Sequence, residues 1–103
     1  MTYQDKIKAG SEMYNYLTNM GEGIPEGAKV VVDILYAGNS YTVSYYNFES
    51  CPLMSVDLKD RYNLRSMNVE KITKQYIYLY SFDMMGTRTT YRMPLSEIFF
   101  DKQ

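Results

Sequence analysis

The groups in this chain that could do chemistry are one thiol, two closely spaced carboxylates, and a row of aromatic rings beside two guanidinium groups. Cys51 is the thiol. A cysteine nucleophile needs a neighbouring base, usually histidine, and the chain has no histidine. The same absence removes histidine-based triads, proton shuttles and the commonest metal ligand, and one cysteine does not build a zinc cluster. Cys51 therefore reads as an inert or buried thiol. Asp57 and Asp60 are spaced for acid–base or Mg²⁺ work. Their setting, Asp57-Leu58-Lys59-Asp60-Arg61, reads more simply as the solvated, self-paired face of a short helix. Gly21, Gly23 and Gly27 lack the preceding strand and following helix of a nucleotide-binding loop. The expectation is a protein that is not an enzyme and carries no cofactor or metal.

The aromatic row is the stronger signal. From Tyr76 to Phe82 the sequence alternates: Tyr76, Tyr78, Tyr80 and Phe82 fall at even positions, Ile77, Leu79 and Ser81 at odd ones. Successive side chains of a strand point to opposite faces, so this segment has an aliphatic and an aromatic face. Met84-Met85-Gly86 fits a three-residue hairpin loop with glycine at its left-handed third position. That loop pairs Asp83 with Thr87, Tyr80 with Thr90, Leu79 with Tyr91, Tyr78 with Arg92 and Ile77 with Met93. Ile77, Leu79, Tyr91 and Met93 then face the core, while Tyr76, Tyr78, Tyr80 and Phe82 share the outer face with Arg88, Thr90 and Arg92. A two-residue loop would set Arg92 against Leu79, burying a charge or exposing the aliphatics.

The outer face admits four readings. It is a second core, covered by the N-terminal helix or by residues 49–66; or a protein-binding surface, including a homodimer, since tyrosine and arginine are enriched at interface hot spots. It is a stacking platform for single-stranded nucleic acid, with phosphates on Arg88, Arg92, Lys71 and Lys74; or it holds a small nucleotide or other ligand between tyrosines.

These residues sit in a chain of 103 residues, the size of one domain with a modest core. Twelve tyrosines and no tryptophan suit half-buried strands and wet surfaces. The net charge of −1 counts against nucleic acid and fits neither a polyanion nor a basic nucleic-acid binder. Three lysines oppose six acids in residues 1–52, and eight bases oppose six acids in residues 53–103. This tilt is too small to name a polyanionic partner. A lone cysteine, no long apolar run and an N-terminus without an apolar core predict a cytoplasmic protein with no membrane partner.

The supporting elements follow in order. Residues 3–20 predict an amphipathic helix with Tyr3, Ile7, Gly10, Tyr14 and Leu17 on one stripe beside Met13 and Met20. Thr2 and Asp5 form a capping box and Gly21 a stop. Gly10 marks either close packing against the sheet or a break. After a linker through Gly27, a strand runs from Lys29 to Tyr36. A Gly38-Asn39 turn then pairs Ile34 with Val43, Val32 with Tyr45 and Tyr36 with Tyr41. Residues 49–66 read as an edge strand or loop at Cys51-Pro52-Leu53-Met54, then a short helix or irregular excursion from Ser55 to Leu64. A strand near 67–73, the tyrosine hairpin, and a turn and last strand anchored by Leu95, Ile98 and Phe100 complete the chain.

Val69-x-x-Ile72, Ile77-x-Leu79 and Pro94-Leu95-Ser96-Glu97-Ile98 together resemble the closing half of small SH3-like β-barrels of bacterial and phage proteins. The resemblance covers roughly residues 28–100. The expected fold is a single α+β domain over residues 1–103: an N-terminal helix within 1–21, packed on a bent antiparallel sheet or small barrel of about five strands within 28–100. The expected function is non-enzymatic binding of a protein partner, a host complex or a second copy, through Tyr76, Tyr78, Tyr80, Phe82, Arg88 and Arg92. In style the chain resembles the inhibitory proteins that phages and mobile elements direct at host defence systems. Binding of single-stranded nucleic acid or a nucleotide on the same face is the alternative.

Overall fold

From Lys29 onward apolar residues recur at every second position, the period that lets one face of a strand be buried while the other meets water. A computed structural model describes residues 2–48, 53–59 and 65–101. One helix, α1 (Tyr3–Asn19), precedes seven strands: β1 (Lys29–Tyr36), β2 (Asn39–Tyr46), β3 (Leu53–Leu58), β4 (Arg65–Ile72), β5 (Tyr76–Phe82), β6 (Arg88–Pro94) and β7 (Ile98–Phe100). The sheet order is β6-β5-β4-β3-β2-β1-β7, with every pairing antiparallel. Six strands form a meander and the seventh returns to pair with the first. The fold is α+β as expected, with seven strands where about five were predicted.

The strand that the sequence reading did not place comes from the region read as an excursion. Leu53–Leu58 is a strand between β2 and β4, not a helix, and its pairs Val43–Val56 and Val56–Met67 continue the core row. Met54, Val56 and Leu58 alternate onto the buried side, so the period-two signal was present but short. Asp57 thus sits on a strand, outside the helical face proposed for it; Cys51 and Asp60 lie outside the described residues.

A 3₁₀ turn, Leu95–Glu97, joins β6 to β7 at opposite edges of the sheet. Three residues span at most about 10 Å. The sheet therefore curls until its two edges approach at this corner. Leu95 and Ile98 are buried there, and α1 lies against the turn and β7. Helical spacing carries Gly10, Met13, Leu17 and Met20 onto the buried stripe of α1, with Tyr14 half-buried beside it. The side chains of Tyr3 and Ile7 lie outside what the structure describes. The Thr2–Asp5 capping box is formed, with the Asp5 amide donating to Thr2 Oγ1 at 3.2 Å. Gly10 does not break the helix. A Cβ there would stand 3.3 Å from the Ser96 backbone nitrogen, so its missing side chain is what lets α1 approach the corner. The core joins Met13, Leu17 and Met20 to Ile34, Val43, Val56, Ile77, Leu79 and Met93 on the concave face of the sheet.

The first hairpin turns one residue earlier than predicted. Ala37 and Gly38 both have positive φ, 50° and 80°, and Tyr36 pairs with Asn39, Ile34 with Tyr41, Val32 with Val43. Every pair predicted on a Gly38-Asn39 turn is displaced by two residues along β2. A two-residue slip keeps each side chain on its face, which is why the face assignments survive. The observed register places Asp33 opposite Thr42, whose hydroxyl donates to Asp33 Oδ1 at 2.9 Å. Asp33 also receives Lys59 Nζ at 2.8 Å. These contacts help offset the cost of a left-handed alanine, about 1–2 kcal/mol.

Candidate functional site

The β5–β6 hairpin has the predicted register. Ile77 pairs with Met93, Leu79 with Tyr91, Tyr80 with Thr90 and Phe82 with Arg88. Gly86 takes φ 83°, and its amide donates to the Asp83 carbonyl at 3.0 Å. The Asp83 carboxylate accepts the amides of Met85 at 2.9 Å and Thr87 at 2.8 Å. Aspartate ahead of the loop thus holds the turn from inside, and glycine supplies the conformation an L side chain resists.

This register carries Tyr76, Tyr78, Tyr80 and Phe82 onto the convex face, away from α1. Among the described residues no element lies over them: the helix expected as one cover occupies the opposite face, and of the other expected cover, 49–66, residues 53–58 lie within the sheet while 49–52 and 60–64 lie outside the described residues. The rings pack on each other instead. Tyr76 and Tyr78 have centroids 5.9 Å apart, and Tyr80 and Phe82 meet edge to face at 5.9 Å. Cations cover them: Arg92 stands 4.6 Å from the Tyr76 centroid, Arg88 4.5 Å from Tyr80, and Lys71 4.8 Å from Tyr78. Arg88 also reaches Glu70 at 3.4 Å. The three tyrosines are half-buried by this mutual packing, while Phe82 is 60% exposed. All six predicted site residues come together on one surface.

Tyr91 departs from expectation. It lies on the concave side opposite fully buried Leu79, yet it is 44% exposed, because β6 is the sheet edge and no described residue pairs with its far side. It helps line a cavity of about 570 Å³ together with Tyr36, Tyr41, Leu58, Met67 and Met93, to which Phe82 and Arg92 also contribute. Sequence reading missed this cup. Its walls come from strands distant in sequence, and only the closing curvature brings them together.

Three further features escaped the sequence. Met84 and Met85, read only as loop, project almost fully exposed from the hairpin tip. A β-bulge between Val69 and Lys71 lets Val69 and Ile72, three residues apart, both pack on the core, and puts Lys71 opposite Tyr78. A smaller aromatic–cation group stands on the same convex side, where Tyr46 stacks on Phe48 at 5.5 Å and Lys29 lies 5.3 Å from Tyr46.

Two carboxylates are held by local partners. Lys59 and then Thr42 hold the Asp33 carboxyl below the usual carboxylate range, and hydrogen bonds from Thr2 do the same for Asp5. Among the described residues no three histidine, cysteine or carboxylate side chains gather as metal ligands, and no helix is long and apolar enough to cross a membrane. No protein-family model, curated protein sequence or solved structure matches the chain.

Proposed function

We propose that this protein is a non-enzymatic binding module that docks a protein partner on the convex face of β5 and β6. The observation that carries this reading is a continuous uncovered strip: half-buried Tyr76, Tyr78 and Tyr80, then exposed Phe82, running on to exposed Met84 and Met85 at a hairpin tip held by Asp83. Aromatic and methionine side chains presented together on a rigid element are what protein interfaces enrich. Rings locked by Arg88, Arg92 and Lys71 lose little further freedom on binding. Occlusion of a partner's working surface is the mechanism such a face performs, as in an inhibitor of a host complex.

The same packing weighs against stacked nucleobases. Each of Tyr76, Tyr78 and Tyr80 already has a cation over it, so a base would have to displace that cation. The test is affinity capture from cells of the source organism with wild-type protein, a Tyr78→Ala/Arg92→Ala variant and a Met84→Ser/Met85→Ser variant. Partners retained by wild type and lost by both folded variants support the face. Equal recovery by all three removes it. Tight, salt-dependent binding of labelled single-stranded DNA or RNA would move the face to the alternative reading.

A further inference from the structure

The two edges of the curled sheet are finished differently. β7 is three residues long and lies against α1, with Phe100 meeting Tyr16 edge to face at 5.0 Å. β6 is seven residues long, ends the sheet order, and among the described residues has no strand beyond it. Its hydrogen-bonding phase is readable from both ends. The Asp83 amide donates to the Thr87 carbonyl at 3.1 Å, and the Leu95 amide donates to the Gln75 carbonyl at 2.9 Å. Both pairs involve odd-numbered residues in one unbroken register. Bonded and non-bonded pairs alternate in an antiparallel ladder. Thr89, Tyr91 and Met93 therefore bond to β5, while the backbone N–H and C=O groups of Arg88, Thr90 and Arg92 point outward. Pro94, the next in that phase, has no N–H and closes the open edge.

We propose that β6 takes up an extended segment of a partner protein as an eighth strand, with acidic side chains opposite Arg88 and Arg92 and an apolar side chain over the cup beside Tyr91. This rests on the reading of the β5–β6 region as a protein-binding surface and names its mode of recognition. Charge selects the occupant. A second copy paired fully antiparallel about Thr90 would set Arg88 against Arg92 twice, a like-charge arrangement that cross-strand pairing disfavours. A guest with carboxylates four residues apart reverses both contacts. Arg92 has no carboxylate partner among the described residues, and Arg88 has only the half-exposed Glu70. The guest residues opposite Thr89 and Tyr91 point to the concave side, where Tyr91 and Met93 line the 570 Å³ cavity. Main-chain bonds supply affinity and alternate side chains supply specificity, the division of labour in strand addition.

The test uses a labelled peptide Ser-Glu-Leu-Thr-Leu-Glu-Ser, its lysine-for-glutamate counterpart, and the full chain. The glutamate peptide binds wild type and slows amide exchange at Arg88, Thr90 and Arg92. Thr90→Pro removes one outward N–H without touching the ladder to β5, and weakens binding by about tenfold or more at unchanged circular dichroism. Arg88→Glu/Arg92→Glu exchanges the preference to the lysine peptide, which decides the matter should the proline variant fold poorly. No binding at about 1 mM peptide, protection confined to other residues, or equal affinity for both peptides overturns the proposal. Dimerisation of wild type that Thr90→Pro abolishes also overturns it, in favour of a second copy. A natural partner lost by Tyr78→Ala/Arg92→Ala but kept by Thr90→Pro removes the edge and leaves the convex face standing; a partner kept by both removes the face as well.

Discussion

Strand β5 has two faces that share one backbone and do opposite things. Ile77 and Leu79 are fully buried and join the sheet to the helix and the corner. Tyr76, Tyr78 and Tyr80, one residue away in each case, touch chiefly their neighbours and the cations laid over them. The aliphatic face gains by leaving water, about 25 cal/mol per Å² of apolar area, whereas the aromatic face gains only small pairwise terms and stays available. Under the proposed function, stability and recognition are divided between odd and even positions of a single heptapeptide.

The comparison breaks most visibly at its aliphatic end. Leu79→Ala should destabilise the fold by about 2–5 kcal/mol, read from urea or thermal unfolding, because no neighbour collapses into the vacated space in so closed a core. Gly86→Ala comes next. It forces an L side chain into φ 83° at the turn that sets the phase of both faces, and should cost about 1–2 kcal/mol. Tyr78→Ala, on the aromatic face, should cost about 1 kcal/mol or less, the worth of an exposed cation–π contact and a cross-strand pair. Equal losses for Leu79→Ala and Tyr78→Ala would show that the convex face is core after all, and would remove the reason to call it a docking surface.

The same contrast explains what was legible in the sequence. Faces were legible because alternation is local: Ile77 and Leu79 against Tyr76 and Tyr78 is a statement about neighbours. The β5–β6 register was legible because Gly86 fits a three-residue loop, and the two-residue alternative would set Arg92 against Leu79. The β1–β2 register was not, because Gly38-Asn39 has better turn chemistry than Ala37-Gly38, and the contact of Asp33 with Lys59 comes from the residue after β3, outside the hairpin. β3 was obscured by Asp57 and Lys59, which mimic a helical charge face. Tyr91 was placed on the right side of the sheet, but its exposure depends on β6 being an edge, a property of the whole sheet. The cup beneath it follows from curvature, which no short window of sequence encodes.

The unfavourable first turn offers a smaller, opposite effect. Ala37→Asn should raise stability by about 0.5–1 kcal/mol, because Asn-Gly adopts the two positive φ angles that Ala37-Gly38 now holds against preference. Unlike Gly86→Ala, it should leave the β5–β6 amides unmoved in a two-dimensional NMR spectrum. A loss of stability would mean that the observed register is wrong and that Gly38-Asn39 forms the turn.

The smallest effect belongs to the polar part of the convex face, where Asp33 sits between Lys59 and Thr42 as the tyrosines sit under their cations. Its carboxyl is held below the ordinary range first by Lys59, then by Thr42. A group whose folded pKa is depressed adds stability above its unfolded pKa, about 3.9, and loses it as pH falls through the folded value. Asp33→Asn should therefore unfold at lower urea than wild type at pH 6, and the gap should close as pH falls below about 4. Both partners are more than a third exposed, so solvent screening keeps the gap below about 1 kcal/mol, and added salt should narrow it. A gap that persists unchanged at low pH would place Asp33's contribution in its hydrogen bond with Thr42 and the β1–β2 register rather than in its charge.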